Sequence, residues 1–521
     1  MTQPLLPQGG AHWIDNIARH ALSRPEEVAF RYEGNSITWA TLHERVGKLA
    51  GALAQRGVEK GDRVGVLMLN RPEFVETVLA ANALGAIAVP INFRLVPAEI
   101  SYVFSDSGTK VVVTDSALAP LAVAAKGDLT TVAAILVAGD VPEGVTGTES
   151  YEQAVASAPA PPAVHIDEGD VALIMYTSGT TGRPKGAMLT HLNLIMQTIT
   201  AIRASRLLDD DTISLCNVPL FHIAGIGTMP ASFLLGTRTV LMPTAPFDAE
   251  TTLDVVQAEG VTGLFLVPAQ WQVLCAHPEA TNKTASLRTI SWGAAPATVH
   301  LLETMAKTFP HAEIVSVFGQ TEMSPVTTAL PAADAIRKIG SVGKPIRTVA
   351  VRVVDDDMRD VGPNEVGEIV YRGPTLMAGY WNKPEETAQA CAGGWFHSGD
   401  LVRVDDEGFI FVVDRKKDMI ISGGENIYCA EVESAIADHP QVLDVAVIGA
   451  ADPKWGETPI AVIVPTAPDG APTIEELTAW LADRLASYKK PTRVVTMTEL
   501  PRNASGKVLK QELRDQFGQP G

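Results

Sequence analysis

Short apolar runs alternate with helical stretches through most of the first 330 residues, and this alternation constrains the fold more than any other feature. Trp39–Arg56 reads as an amphipathic helix, Arg63–Leu69 as an apolar strand and Pro72–Leu84 as a second helix; Ala86–Ile91 and Lys110–Thr114 read as further strands. Such strands, joined by helices of about ten residues or more, form parallel βαβ units with helices on the sheet faces. Residues 134–164 are rich in Ala, Pro, Gly and Val, show no periodicity, and read as a surface excursion. The alternation resumes over 171–330. From Ile346 to Val413 it gives way to strands separated by the turn sequences DDDMRD, GPNE and DDEG, a smaller and mainly β lobe. A charged connector, Asp414-Arg415-Lys416-Lys417-Asp418, and the pair Gly423–Gly424 precede a last segment. That segment has its own strands, Val442–Ile448 and Pro459–Val464, and a helix opening near Thr473 with Glu476 in capping-box spacing. The expected fold is α/β. A large N-terminal domain of βαβ-type sheets plus a small β lobe occupies 1–414, a connector 415–418, and a small α+β domain 419–521.

Composition narrows the function. The 521 residues are 46% hydrophobic and 19% charged, which excludes a disordered chain. Sixty acidic residues against 41 basic ones give a net charge of −19, which argues against a nucleic-acid binder. Anionic small molecules are not excluded, because backbone N–H groups, lysines and a bound cation can override the global field locally. The four cysteines, Cys216, Cys275, Cys391 and Cys429, show no CxxC spacing, so a reducing cytoplasm is the expected compartment. The N-terminal sequence lacks the basic and apolar regions of a signal peptide. The uncharged stretch 212–237 is interrupted by Pro219 and Pro230 and reads as buried strand, loop and helix rather than a membrane span.

The most informative segment is YTSGTTGRPKG, Tyr176 to Gly186, between the apolar strand Val171–Met175 and a helix starting near Thr190. Its glycines let the backbone wrap a ligand, and its N–H groups, hydroxyls and Lys185 suit phosphate oxygens. It does not match GxxxxGK[ST], which disfavours an ordinary P-loop NTPase. No GxSxG elbow is present either.

This loop resembles the phosphate loop of the adenylate-forming superfamily of acyl-CoA synthetases, peptide-synthetase adenylation domains and luciferases. Further segments resemble that family's motifs in the family's order. They are Phe318-Gly319-Gln320-Thr321-Glu322, Trp395-Phe396-His397-Ser398-Gly399-Asp400, the hinge Asp414–Asp418, Gly423-Gly424-Glu425-Asn426-Ile427, and Pro501-Arg502-Asn503-Ala504-Ser505-Gly506-Lys507. The likeness covers essentially the whole chain and is closest to actinobacterial fatty-acyl-CoA ligases.

The resemblance implies two half-reactions: a carboxylate attacks the α-phosphate of ATP to give an acyl-adenylate and pyrophosphate, and the thiol of CoA then takes the acyl group. It also implies roles. Thr177, Ser178, Gly179, Thr180, Thr181, Gly182 and Lys185 would cradle the β- and γ-phosphates. Glu322 would ligate Mg²⁺, with Phe318, Gly319, Gln320 and Thr321 lining the nucleotide. Asp400 would bind the ribose, with Arg415 beside it, and Gly293, Ala294, Ala295 and Pro296 would flank the adenine. Lys507 would serve adenylation, the connector 415–418 would be a hinge with Lys417 as its pivot, the small domain 419–521 would be mobile, and Gly423 and Gly424 would border the CoA tunnel. His222, Ile226 and Trp271, with Phe265, would line the acyl pocket; the glycines at 225 and 227 suggest a deep channel. His222 is read either as a gate or as a satisfied core histidine, and the aromatics as wall or plain core. The first expectation for the substrate is a medium- to long-chain fatty acid. The alternatives are an aryl acid of the cinnamate or ferulate type, or an adenylate-only enzyme. Oligomeric state stays open, a homodimer included, as does peripheral membrane contact; Lys489, Lys490 and Arg493 form only a small basic patch.

Overall fold

The computed structural model describes residues 9–177, 183–204, 210–293, 297–423, 425–468, 470–502 and 508–519. The chain forms two compact units: one comprises the chain to Ile339, Gly343–Ala350 and Tyr371–Phe396; the other Gly340–Val342, Val351–Val370 and the chain from His397. This border differs from the one expected at Asp414. The β lobe groups with the segment after it, because helix Cys429–Ala437 packs on strand Ile410–Arg415.

The first unit holds two large sheets. One runs Lys344–Pro345, Val326–Leu330, Glu313–Gly319, Thr289–Trp292, Gly263–Leu266, Ile213–Cys216, Arg238–Leu241, Val28–Tyr32 and Asn35–Thr38. The strands from Glu313–Gly319 to Val28–Tyr32 are parallel, and the edges are antiparallel. The other sheet runs Gly379–Tyr380, Lys185–Thr190, Val171–Thr177, Ile87–Pro90, Arg63–Leu67, Thr109–Asp115, Ala134–Ala138 and Glu149–Ser150. Helices such as Trp39–Gln55 and Pro72–Ala83 bury Trp39, Leu42, Phe74 and Leu79. Leu253, Leu264, Trp271, Ile290 and Phe309 form one core; Phe104, Val112, Ile135 and Ile174 belong to another. Parallel strands gather their carboxyl ends on one edge, where ligands of open α/β sheets bind.

Two expectations need correction. Residues 134–164 are not wholly a surface excursion. Ala134–Ala138 is a fully buried strand, so both faces are apolar and no alternation appears. Ser150 caps the helix Tyr151–Ser157, whose Tyr151 is buried with its hydroxyl on Glu76. The second correction concerns the phosphate loop. It is followed by strand Lys185–Thr190, antiparallel to Val171–Thr177, before the helix His191–Ala204 begins. The two strands that flank the loop are therefore paired with each other. The stretch 212–237 resolves into strand Ile213–Cys216 and helices Ile223–Ile226 and Met229–Leu235, as expected. No helix among the described residues is long and apolar enough to cross a membrane, and all four cysteines are free.

The second unit contains a four-stranded sheet, Ala350–Val354, Val366–Arg372, Phe396–Val404 and Ile410–Arg415. It also contains a sheet built on the hairpin Val442–Asp452 and Gly456–Pro465. Thr473 accepts from the Glu476 amide and Glu476 accepts from the Thr473 amide, the capping box the sequence predicts.

Two buried histidines give the fold a pH dependence. Burial lowers His191 from 6.5 to about 3 and His222 from 6.5 to about 4. Both rings stay neutral in the fold, whereas the unfolded chain takes up protons below about 6.5. Stability therefore falls as pH drops from about 6.5 toward those values, by at most about 1.4 kcal/mol per pH unit for each ring. The thermal midpoint of His222→Gln should drop less than that of the parent between about pH 7 and about pH 5. An equal drop would contradict the burial of a neutral ring at this position.

Candidate nucleotide and acyl site

Within the first unit, one tyrosine joins residues that lie far apart in sequence. Thr177 and Lys185 face each other across the last rung of the hairpin, with the Thr177 hydroxyl 3.5 Å from the Lys185 carbonyl. Strand Gly379–Tyr380 adds to the hairpin's outer leg, with Tyr380 opposite Ala187. Lys185 Nζ sits 5.3 Å from the centroid of the Tyr380 ring, close enough for a cation–π contact. The Tyr380 hydroxyl donates to Glu322 Oε1 at 2.9 Å. Burial and the Glu322 carboxylate push this hydroxyl well above its usual range, so it stays a donor. Glu322 is only 8% exposed and stands in the 3₁₀ turn Thr321–Met323, at the carboxyl end of strand Glu313–Gly319. Its carbonyl accepts from the Met377 amide at 2.8 Å. Cation, aromatic ring and carboxylate thus link the two sheets.

The neighbouring strand ends explain the small residues. A Cβ on Gly319 would lie 1.9 Å from the Pro325 carbonyl oxygen, and one on Gly293 would lie 2.4 Å from that of Val317 and 3.5 Å from Phe265. Phe318, on the same strand as Gly319, pairs with Thr328 of the antiparallel neighbour, and the Gln320 amide donates to the Pro325 carbonyl at 2.9 Å. Gly293, Phe318, Gly319, Gln320 and Thr321 therefore occupy the carboxyl ends of two adjacent parallel strands.

The acyl-pocket residues divide. His222 precedes helix Ile223–Ile226 and stacks on Phe221 with ring centroids 4.5 Å apart; Phe221 in turn meets Phe93 edge-on. His222 Nε2 is buried and has no hydrogen-bond partner among the described residues. Ile226 is buried in that helix. Gly225 does not open a channel: a Cβ there would lie 2.3 Å from the Pro219 carbonyl oxygen, so backbone already fills the space. Trp271 is in the plain core, 0% exposed, packed on Phe309 and donating its indole N–H to the Ser291 carbonyl at 3.0 Å. Phe265 alternates with the core residues Leu264 and Leu266 and lies on the Gly293 side of its strand.

In the second unit, Asp400 and Arg415 are register partners on adjacent strands, joined by an ion pair at 2.7 Å. Asp400 is 3% exposed. Glu368 accepts from the Gly399 amide at 3.0 Å and from Lys416 Nζ at 3.2 Å, with His397 Nδ1 also at 3.2 Å. Residues 415–418, the expected hinge, form a tight turn: the Asp418 amide donates to the Arg415 carbonyl, and Lys417 is exposed at the tip. Gly423 has φ +59°, and a Cβ there would meet the Trp455 ring at 2.7 Å. Ser178, Gly179, Thr180, Thr181, Gly182, Ala294, Ala295, Pro296, Gly424 and Lys507 lie outside the described residues.

Sequence reasoning missed Tyr380 and Glu368. The available signals were weak: a Gly-Tyr-Trp run shortly before a proline that opens the helix Pro384–Ala390, and an acidic residue in the apolar strand Val366–Arg372.

Comparison with known proteins decides the family. Residues 17–381 match the model of the AMP-binding enzyme family, and residues 431–507 match the AMP-binding enzyme C-terminal domain. The chain belongs to the AMP-binding enzyme family. It is 42% identical over 514 residues to a feruloyl-CoA synthase of Amycolatopsis, covering 98% of this chain and 99% of that one. It is 38% identical over 488 residues to a long-chain-fatty-acid–CoA ligase of Mycobacterium tuberculosis, covering 92% and 93%. Among solved structures it resembles o-succinylbenzoate CoA synthetase of Bacillus subtilis in complex with ATP and magnesium. That match has TM-score 0.84 and 31% identity, and covers 99% of this chain and all of the other.

Tyr380→Phe removes the donor to Glu322 and keeps the ring under Lys185. A lost hydrogen bond to a charged group costs about 1.5–3 kcal/mol, so MgATP binding measured by calorimetry should weaken by about 10- to 100-fold. Parent-like affinity would show that Glu322 needs no such brace.

Proposed function

We propose that this protein is an ATP-dependent acid–CoA ligase acting on aryl propenoic acids of the ferulate type. The observation that carries the ligase reading is the Tyr380 bridge, which ties the cation of the phosphate hairpin to the carboxylate of the Phe318–Glu322 turn. The aryl preference is supported by the 42% identity, end to end, with a feruloyl-CoA synthase. It is also supported by His222: an unmade hydrogen bond in a buried site costs about 1–3 kcal/mol, and a phenolic or methoxy oxygen can satisfy it where an alkyl chain cannot. A medium- to long-chain fatty acid is the second reading, favoured by the mycobacterial relative.

In the first step a carboxylate oxygen attacks the α-phosphorus and pyrophosphate leaves. In the second the CoA sulfur attacks the acyl carbon, the thiol gives up its proton and AMP departs. Neither step needs a protein nucleophile, so the residues position groups and offset charge. Thr177 and Lys185, with Ser178 to Gly182, take the β- and γ-phosphates. Asp400 accepts the ribose hydroxyls, and Arg415 holds its carboxylate in place. Gly293 to Pro296 and Phe318 to Thr321 border the base and the α-phosphate. Glu322 fits a magnesium ion, which typically takes one or two carboxylates together with substrate phosphates; when bound, the ion neutralises phosphate charge. Lys507 brings a cation to the reacting phosphate in the first step. Lys417 is the hinge pivot between the two steps, and Gly423 and Gly424 border the path of CoA in the second.

Thioester formation is measured on a panel of ferulate, coumarate, cinnamate and straight-chain acids from about C4 to about C20. The hydroxycinnamates should exceed every fatty acid at least about 10-fold in kcat/KM. A maximum at long chains would install the fatty-acid reading, and pyrophosphate release without any thioester would mark an adenylate-only enzyme. Lys507→Ala should cut acyl-adenylate formation at least about 100-fold while sparing CoA transfer from preformed adenylate; full-speed adenylation would remove Lys507 from the mechanism.

A further inference from the structure

Asp106 has no role in the chemistry above, yet contacts from three separate segments converge on it. It stands in the last turn of helix Pro97–Ser107, and its side chain is only 10% exposed. Oδ2 accepts from the Tyr176 hydroxyl at 2.7 Å. Oδ1 accepts from the Tyr102 hydroxyl at 3.2 Å and from Lys383 Nζ at 3.3 Å. The Asp106 carbonyl accepts from the Trp381 indole at 3.1 Å.

Three of these partners, Tyr176, Tyr102 and Trp381, reach a leg of the phosphate hairpin. Tyr176 belongs to the first leg, next to Thr177. The Tyr102 hydroxyl also lies 3.2 Å from the Pro184 carbonyl, and its ring lies under the Arg183 guanidinium at 5.2 Å. With one proton, that hydroxyl serves Asp106 and Pro184 in turn. The Trp381 amide donates to the Gly186 carbonyl at 2.7 Å, on the second leg. The Tyr176 ring lies across that leg: a Cβ on Gly186 would come within 3.2 Å of Tyr176 Cζ. The first leg is therefore fixed to the Asp106 carboxylate through Tyr176, and the second through Tyr102 at Pro184, while Trp381 ties Gly186 to the Asp106 main-chain carbonyl.

The chemistry of that group matters. Three donors point at two oxygens, and an ionised carboxylate accepts all of them because it is acceptor-only. An amide of the same shape would set its own N–H₂ against a hydroxyl or an ammonium. Burial and Asp106 together keep the Tyr176 hydroxyl protonated, as this donation requires.

We propose that Asp106 is a positioning residue for the triphosphate, setting the affinity for ATP through the two legs of the hairpin without touching the nucleotide. The proposal rests on the ligase reading above. Its test compares the parent with Asp106→Asn, Tyr176→Phe and the double variant in two assays. One is pyrophosphate release against MgATP concentration at saturating acid; the other is CoA transfer from synthetic acyl-adenylate. Asp106→Asn should raise the ATP KM about 10-fold and Tyr176→Phe about 3-fold, with the double variant no worse than Asp106→Asn alone. CoA transfer should stay within about 2-fold of the parent, which a general loss of structure would not allow. An unchanged ATP KM, an equal loss in both assays, or multiplying effects would overturn the proposal. If Asp106→Asn fails to fold, Tyr176→Phe decides alone, by a raised ATP KM with transfer intact or by no change. If the parent releases no pyrophosphate, the ligase reading fails; calorimetric MgATP binding then tests Asp106 separately, and affinity unaffected by Asp106→Asn overturns its role.

Discussion

The hydrogen bond from Tyr380 to Glu322 joins the two sheets of the first unit at the place where their chemistry must meet. Each sheet can be built without it, since each has its own apolar core and its own covering helices. What neither sheet can do alone is bring a lysine and a carboxylate onto one aromatic side chain. Lys185 comes from an antiparallel hairpin, Glu322 from the end of a parallel strand, and the two are 137 positions apart in the chain. A two-residue strand, Gly379–Tyr380, closes that distance by pairing with the hairpin and reaching across. The acidic surface makes this arrangement necessary: with a net charge of −19, anions are bound by local groups or not at all.

Much of this was legible in the sequence, for reasons that differ from place to place. Strand Val171–Thr177 is buried on both faces over Ala172–Met175 and reads as an apolar run. Thr473 and Glu476 sit in a spacing whose hydrogen bonds are local, so the helix start needed no tertiary information. Thr177, Lys185, Glu322, Asp400 and Arg415 were expected at the site because the order of their segments and the flanking glycines are specific. Gly293 and Gly319 then proved to be required by close backbone approach rather than by ligand contact alone.

The rest was hidden by distance along the chain. Ala134–Ala138 looks irregular because its neighbours in the sheet, not its own pattern, make it a strand. Trp271 and Phe265 are both aromatic residues near a strand end, and only the alternation Leu264, Phe265, Leu266 shows which side of the sheet each serves. The glycine at 225 suggests a channel until the Pro219 carbonyl is seen against it. Asp106 and Tyr380 carry no motif of their own. Apart from Tyr102, four positions from Asp106, their side-chain partners lie 58 to 277 positions away, a range no local pattern can encode.

The central claim is that the hairpin between Thr177 and Lys185 grips the triphosphate, with Glu322 beside it. A crystal structure of the protein with MgATP tests this most directly. The account predicts β- and γ-phosphate density inside that turn, within hydrogen-bond reach of Thr177 and Lys185, and a metal ion on the Glu322 carboxylate. Triphosphate density elsewhere on the chain, with the turn empty, would contradict it.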